Sequence, residues 1–103
     1  MYKGIEQKRA EIERLCAKRG VLKLSLFGSA VTDQFDPQSS DLDFLVEFKP
    51  VPPVQHAEHF FSLKEELQSL FGLPVDLFKP SPIRNPYLLK EIDENRVPLY
   101  DAA

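Results

Sequence analysis

The stretch that decides the fold runs from residue 27 to residue 43 and reads Phe-Gly-Ser-Ala-Val-Thr-Asp-Gln-Phe-Asp-Pro-Gln-Ser-Ser-Asp-Leu-Asp. The pair Gly28-Ser29 closes one apolar run, and Ser40-Asp41-Leu42-Asp43 opens a second. Because side chains alternate along a strand, Asp41 and Asp43 point to the same face, with Cα atoms about 6.5 Å apart. Two like charges this close repel each other, and a cation between them offsets that repulsion.

Paired carboxylates at the mouth of a strand predict a magnesium site. Mg²⁺ prefers hard oxygen ligands and commonly binds through one or two carboxylates plus substrate phosphates. The small-residue turn at Gly28-Ser29 can present backbone N–H groups to those phosphates. An ordinary solvent-facing strand is the less favoured interpretation, because Asp is depleted in strands. The pattern therefore indicates phosphate transfer.

Three motifs in a fixed order resemble those of the DNA polymerase β nucleotidyltransferase superfamily. Gly28-Ser29, then Ser40-Asp41-Leu42-Asp43, then Val75-Asp76-Leu77 follow its order Gly-Ser, Asp-x-Asp, Asp. The short chain and its flanking segments are similar to the smallest branch, the minimal nucleotidyltransferases. The resemblance implies that Asp41, Asp43 and Asp76 are the catalytic residues and hold two Mg²⁺ ions, with ATP as substrate. It also implies a nucleotide-binding role for Gly28, Ser29 and Ser40.

One feature departs from the family pattern. Relatives often carry one or two arginines and a glycine just after Gly-Ser, whereas residues 30–33 here are Ala-Val-Thr-Asp. The missing guanidinium removes a bidentate phosphate clamp. Lys49, Lys79 and Arg84 are the candidates to replace it.

The resemblance also implies a partner. Minimal nucleotidyltransferases are typically antitoxins encoded beside a helical HEPN-type ribonuclease, which they bind and can adenylylate on a tyrosine. The HEPN motif, Arg-x4–6-His, is not formed by either histidine here, so a HEPN partner is expected to be a separate polypeptide. The function expected is AMP transfer from ATP to a hydroxyl of that partner. The alternative is a binding module of the same fold, catalytically weak or inactive, that neutralises its partner by contact.

Composition narrows the class of protein. A chain of 103 residues with 43% hydrophobic residues predicts one domain, residues 1–103, with a modest core. A net charge of −3 argues against a broad nucleic-acid surface. No apolar run approaches the length of a membrane span and no signal-peptide pattern begins the chain. The single cysteine, Cys16, is predicted to lie in the core, and a cytoplasmic location is expected.

Periodicity predicts an α/β domain in two layers, with a small mixed sheet and helices packed on it. The first helix is expected over residues 4–19, ending at Gly20, and the second over residues 54–71, ending at Gly72, after a break at residues 49–53. Strands are expected at residues 21–27, 41–48, 74–78 and 97–100, and a short helix at residues 87–94. Leu22, Leu24 and Leu26 should share one face of the first strand, and Ser29 should cap the turn that follows it.

Other site chemistries fit less well. Residues 36–47 have acids in part of a calcium-loop frame, but its sixth position, which needs glycine, is Asp41. His56 and His59 lie three apart at a helix start without a third ligand nearby, which favours ordinary surface histidines. Glu58, Glu65 and Glu66 are expected on a solvated helix face. Phe60 and Phe61 are both expected in the core, although one of them could lie exposed at a partner surface.

Overall fold

The computed structural model describes residues 1–32, 34–80, 87, 90 and 95–102. One mixed sheet of four strands has the order β3-β2-β1-β4, with β1 antiparallel to β2 and β4 and β2 parallel to β3. In chain order the elements are α1 (Lys3–Gln7), α2 (Arg9–Lys18), β1 (Val21–Phe27), a 3₁₀ turn (Gly28–Val31), β2 (Leu42–Phe48), α3 (Pro53–Phe71), β3 (Val75–Phe78) and β4 (Val97–Asp101). The predicted α/β fold is confirmed.

The parallel pair β2–β3 is made possible by α3, which carries the chain back between them. The helix begins at Pro53, where proline costs no hydrogen bond. It ends before Gly72, which adopts the left-handed conformation at φ 65° and donates its N–H to the Gln68 carbonyl. Leu63 and Leu67 are fully buried. Both predicted boundaries of this helix are therefore correct to within a residue.

The core lies on the face of the sheet that carries the helices. Its buried side chains come from every strand and from α1, α2 and α3 (Ile5, Ile12, Cys16, Val21, Leu24, Leu26, Leu42, Phe44, Val46, Leu63, Leu67, Val75 and Leu99). Burial raises the pKa of the Cys16 thiol to about 12, with a smaller contribution from Glu13, so the thiol stays protonated at neutral pH. Cys16 is a core residue, as predicted.

The prediction that Leu22 shares a face of β1 with Leu24 and Leu26 is wrong. Val21 is fully buried, whereas Leu22 is only partly buried. The cause is a bulge: Val21 pairs with Phe48 and Lys23 with Glu47, so two steps along β1 match one step along β2. The extra residue reverses the alternation. As a result Val21 joins Leu24 and Leu26 on the core face.

The first predicted helix is in fact two. Lys8 separates α1 from α2 with φ −109° and ψ 14°, outside helical values, and its N–H is shared between the carbonyls of Gly4 and Ile5. Ile5 and Ile12, one on each helix, are both fully buried. Gly20 follows α2 with φ 66°, as predicted for a left-handed cap.

Helices α2 and α3 are joined by an ion-pair cluster that corrects one sequence prediction. Glu66 is not on a purely solvated face, because it accepts hydrogen bonds from Arg19 and Lys18 and its side chain is 25% exposed. Burial works to raise the Glu66 pKa, but the hydrogen bond and charge of Arg19, with Lys18, outweigh it and leave the pKa lowered. Glu58 and Glu65 are exposed, as predicted.

The remaining predictions concern the C-terminal part of the chain and the absence of a membrane span. Strand β4 is an edge strand, which tolerates Pro98 because one side of it needs no ladder hydrogen bond. The helix expected at residues 87–94 lies largely outside the described residues. Within the described part of the chain, no helix is long and apolar enough to cross a membrane.

Candidate active site

Strand register places Asp43 at the centre of a row of three side chains. Asp43 lies opposite Phe27 on β1 and opposite Asp76 on β3. Directly paired residues share a face of the sheet, and neighbouring strands lie about 4.8 Å apart. The fully buried Leu42 and Phe44 flank Asp43 in sequence, so the row faces away from the helices. Two acids from separate motifs thus meet across β2 and β3.

Gly28 brings the first motif against the same carboxylate. Its φ of 76° lies in the left-handed region, and a Cβ built on it would stand 2.5 Å from Asp43 Oδ2. No ordinary side chain fits such a contact. The backbone of the Gly-Ser turn therefore approaches the carboxylate as closely as only a glycine allows.

The electrostatic environment of Asp43 reflects this crowding. Its pKa is raised from 3.8 to about 6, first by burial and then by the negative charges of Asp76 and Asp41. A carboxylate that is half-buried beside two others is destabilised in its ionised form. A cation held by these oxygens offsets that cost.

The third acid, Asp41, lies just outside the strand that carries Asp43. Asp41 precedes β2, is exposed, and acts on Asp43 through its charge. Across the described residues, no three His, Cys, Asp or Glu side chains are already arranged to hold a metal ion. The backbone therefore brings Asp43 and Asp76 together, and the convergence of all three carboxylates on one ion stays a prediction.

The two serines assigned to nucleotide binding lie at the ends of the connection between β1 and β2. Ser29 does not cap the 3₁₀ turn, which was the prediction, because it lies inside the turn and no side chain caps it. Its carbonyl accepts hydrogen bonds from the N–H and hydroxyl of Thr32. The Ser40 N–H donates to the Asp36 carbonyl, and its hydroxyl accepts a long 3.4 Å hydrogen bond from the Asp36 N–H. Both serines therefore help to order the connection.

The Asp36 carboxylate explains the partial calcium-loop pattern. It accepts hydrogen bonds from the Gln38 N–H at 2.9 Å and the Ser39 hydroxyl at 3.0 Å. These contacts are those of an Asx turn around Pro37. Asp36 thus has a local structural role.

The lysines considered as phosphate clamps lie away from the acids. Lys79 is three residues beyond Asp76, about 10 Å along the strand, and Lys49 is six beyond Asp43, about 20 Å. The Lys79 ammonium lies 3.2 Å from His56 Nε2 and over the Phe60 ring, 5.3 Å from its centroid. Neither lysine replaces the missing arginine from its observed position. Arg84 lies outside the described residues.

The histidines of α3 are partly buried and are not the surface residues that were predicted. The His56 ring packs edge-on against Phe48 at 5.0 Å, and a Cβ built on Gly20 would stand 3.8 Å from the His59 ring, whose Nδ1 is buried without a hydrogen-bond partner among the described residues. Phe60 packs against the core, whereas Phe61 is 64% exposed on the outer side of α3. The core prediction is therefore right for Phe60 and wrong for Phe61, and a partner surface at Phe61 stays a prediction.

The sequence interpretation overlooked two aromatic side chains beside the acids. Phe27 and Phe78 lie on the same face as Asp43, with ring centroids 5.4 Å apart in an edge-on contact. The available signal was strand alternation: Phe78 follows Asp76 by two residues, and Phe27 immediately precedes Gly28.

The residues present fit a magnesium ion. The donor set is carboxylate oxygen, the ligand type that Mg²⁺ prefers, and the pKa of Asp43 is raised first by burial and then by the charges of Asp76 and Asp41, a cost that a bound cation would offset. Because Gly28 has no Cβ, the space 2.5 Å from Asp43 Oδ2 that a side chain at this position would fill is left open. Asp41, Asp43 and Asp76 are the residues that would hold the metal.

The excess of negative charge predicts that Asp43→Asn stabilises the metal-free protein. Because the folded-state pKa is raised, ionisation of Asp43 costs stability as pH rises from about 4 to about 6, and the cost is complete above that. Solvent screening at this half-exposed group reduces the effect to about 1 kcal/mol. Urea unfolding in EDTA at pH 7.5 should show the gain, which should shrink towards pH 4.

The control for this experiment is Glu58→Gln, which removes an exposed acid from α3 and should change the free energy of unfolding little at either pH. Loss of stability in Asp43→Asn at pH 7.5 would contradict the charge-repulsion argument and make Asp43 a structural residue.

Comparison with known proteins identifies the family. Residues 9–99 match the family model of the nucleotidyltransferase domain, and the chain belongs to that family. The chain is therefore a nucleotidyltransferase. The matched span includes the Gly-Ser turn and all three acids.

Two similar proteins both carry the name protein adenylyltransferase. A Methanocaldococcus jannaschii protein provisionally named protein adenylyltransferase MJ0128 is 36% identical over 95 residues, covering 92% of this chain and 91% of the relative. Protein adenylyltransferase MntA of Thermococcus cleftensis is 34% identical over 76 residues, covering 74% and 73%.

Solved structures share the fold. A solved structure provisionally described as a minimal nucleotidyltransferase superposes on this chain with a TM-score of 0.76 at 27% identity. The match covers 96% of this chain and 97% of the other. The MNT antitoxin complex with a tri-AMPylated HEPN toxin from Shewanella oneidensis matches with a TM-score of 0.62 at 17% identity, covering 94% and 72%. At that identity the second likeness shows the fold alone.

Proposed function

We propose that this chain transfers AMP from ATP to a hydroxyl group of a separate protein. The observation that carries the proposal is the contact of the Gly28 turn with the Asp43 carboxylate, next to Asp76. This contact supports a site in which backbone N–H groups of the turn and the neighbouring carboxylates bind one substrate. A nucleoside triphosphate needs both, since its phosphates take N–H donors on one side and a divalent counterion on the other.

Each site residue has a role in the proposal. Gly28 and Ser29 hold the triphosphate, and Ser40 contacts it from the loop that leads into Asp41. Asp41, Asp43 and Asp76 hold two magnesium ions, which when bound favour ionisation of the acceptor hydroxyl and offset charge on the leaving pyrophosphate. The half-buried position of Asp43 strengthens its interactions with charged groups relative to water.

The acceptor is proposed to be a tyrosine of a HEPN-type partner, with this chain as the antitoxin of the pair in the cytoplasm. The support is the adenylyltransferase name of the relatives and the AMPylated HEPN toxin in the Shewanella complex. Residues 1–103 act in the proposal as one catalytic domain, and the partner supplies the surface that presents the hydroxyl.

A second candidate function is neutralisation of the partner by contact, with catalysis weak or lost. One observation favours it: Ala30 occupies a position where relatives often carry an arginine, and it is fully buried, with its carbonyl bonded to the Tyr2 N–H. The turn is therefore anchored into the core at a point where a phosphate clamp could stand.

The experiment that separates the two functions uses the protein encoded next to this chain, purified with it. With Mg²⁺ and ATP labelled at the α-phosphate, the label should move to the partner, and the partner's mass should rise by one or more AMP groups. If the wild type transfers no label yet still silences the partner, contact neutralisation is the function.

A further inference from the structure

The face of the sheet beside the acids carries an aromatic pair that the reaction chemistry leaves unexplained. Phe27 and Phe78 meet over β2, since Phe27 pairs with Asp43 and Phe78 with Leu45, one row further from the Gly28 turn. Leu45 between them is 7% exposed, whereas Phe78 is 37% exposed. Phe27 thus borders the Asp43–Asp76 pair within the same row, and Phe78 extends the apolar surface two residues along β3, about 6 to 7 Å, from Asp76.

Phe78 is unusual among the exposed apolar residues. The other large apolar side chains exposed in the described part of the chain are Met1, Val54, Phe61 and Tyr87, and none belongs to a strand. Phe78 lies on the same strand and face as Asp76. Phe78 packs in part against Phe27, but its exposed 37% gains nothing for folding, whereas a flat ring placed on it is stabilised by stacking.

The row order suggests what this surface contacts. Phe27 lies beside Asp43 in the acid row and directly precedes the Gly28 turn, whereas Phe78 lies one row further from that turn, beyond Asp76. In phosphoryl transfer the attacking and leaving oxygens lie roughly in line through the phosphorus. With the phosphates at the turn, the base or the incoming acceptor therefore lies on the far side of the acids, over Phe78 and next to the Phe27 ring that it contacts.

From this geometry we infer that Phe27 and Phe78 form a stacking platform for a planar aromatic ring of a substrate, either the purine base of the nucleotide or the aromatic side chain of the acceptor. The inference rests on the proposed function for the identity of the two substrates. Phe78 is the specificity-determining residue of the pair, because it is the more exposed. Phe27 supports it edge-on from β1.

The test measures binding, which does not require turnover. Calorimetric titration with Mg²⁺–ATP and with Mg²⁺–tripolyphosphate isolates the contribution of the base, and NMR titration with N-acetyl-tyrosinamide and N-acetyl-serinamide isolates that of an aromatic acceptor. Phe78→Ala should weaken the binding of one aromatic probe, either ATP or N-acetyl-tyrosinamide, at least about fivefold. This is the lower end of the range for losing one aromatic stack. The variant's tripolyphosphate and serinamide binding should equal that of the wild type.

Three variants make the result specific. Phe78→Tyr keeps the ring and should bind like the wild type. Phe78→Leu keeps apolar bulk without the ring and should lose affinity as Phe78→Ala does, which guards against a folding defect in the alanine variant. Phe61→Ala removes an exposed phenylalanine from the outer side of α3 and should change none of the four affinities.

The arms distinguish the source of the ring. If Phe78→Ala loses affinity for ATP but not for tripolyphosphate, the platform binds the base. If it loses affinity for N-acetyl-tyrosinamide but not for ATP, the platform binds the acceptor. Unchanged binding of both aromatic probes, absence of wild-type binding to both, or an equal loss for tripolyphosphate, overturns the inference. A loss of aromatic binding together with no AMP transfer by the wild type would leave the platform standing and remove the proposed function instead.

Discussion

Replacement of Asp41 and Asp43 by alanine should abolish AMP transfer to the partner, with a loss of at least about a thousandfold. The acceptor hydroxyl is a poor nucleophile at neutral pH, and the leaving pyrophosphate carries added charge in the transition state. Carboxylates that hold the metal ions supply several kcal/mol of stabilisation there, and each 1.36 kcal/mol is worth tenfold in rate. The measurement is single-turnover transfer of α-labelled ATP to the copurified partner.

The control removes the same charge elsewhere. Glu58→Gln and Glu65→Gln together take two acids from the exposed side of α3 and should leave transfer unchanged. The double aspartate variant should also remain folded, because it relieves repulsion at Asp43. Undiminished transfer by the Asp41→Ala/Asp43→Ala protein would reject the acids as the catalytic residues. Equal silencing of the partner by both proteins, without transfer by either, would favour the contact mechanism.

The fold was predictable where the signal is local. The two-residue period of a strand is enough to put Leu42, Phe44 and Val46 on one face of β2, which is the core face, and Asp43 on the other. Gly20 and Gly72 were recognised as helix ends because only glycine adopts a left-handed conformation at low cost. The family resemblance implies that Asp41, Asp43 and Asp76 share one site; the parallel register of β2 and β3 puts Asp43 opposite Asp76, and the convergence of Asp41 with them stays a prediction.

Features set by tertiary contact could not be predicted in this way. The bulge after Val21 depends on how β1 pairs with β2, so the sequence of β1 alone indicates the wrong residue for the core. Glu66 appears solvated until α2 brings Arg19 to it. Lys79 appears close to Asp76 in sequence, yet an extended strand separates residues three apart by about 10 Å. Each error comes from judging a side chain by its neighbours in sequence.

Gly28 combines a left-handed backbone conformation with a close contact to Asp43, and Gly28→Ala tests both features. A non-glycine residue at φ 76° costs about 1–2 kcal/mol, and the new Cβ would stand 2.5 Å from Asp43 Oδ2. The carboxylate or the turn must shift, which separates the groups proposed to hold phosphate and metal. We expect AMP transfer to fall at least about a hundredfold, since a misplacement of about 1 Å at a reacting site is worth that much.

Gly72→Ala is the matched control, because it isolates the conformational cost. Gly72 has nearly the same φ, 65°, but a Cβ built on it meets nothing within 4 Å. Both variants should lose about 1–2 kcal/mol of unfolding free energy to backbone strain, measured by urea denaturation. Only Gly28→Ala should also lose ATP binding and transfer. Equal activity in the two variants would show that the contact between Gly28 and Asp43 has no part in catalysis, whereas the expected difference assigns the lost activity to that contact.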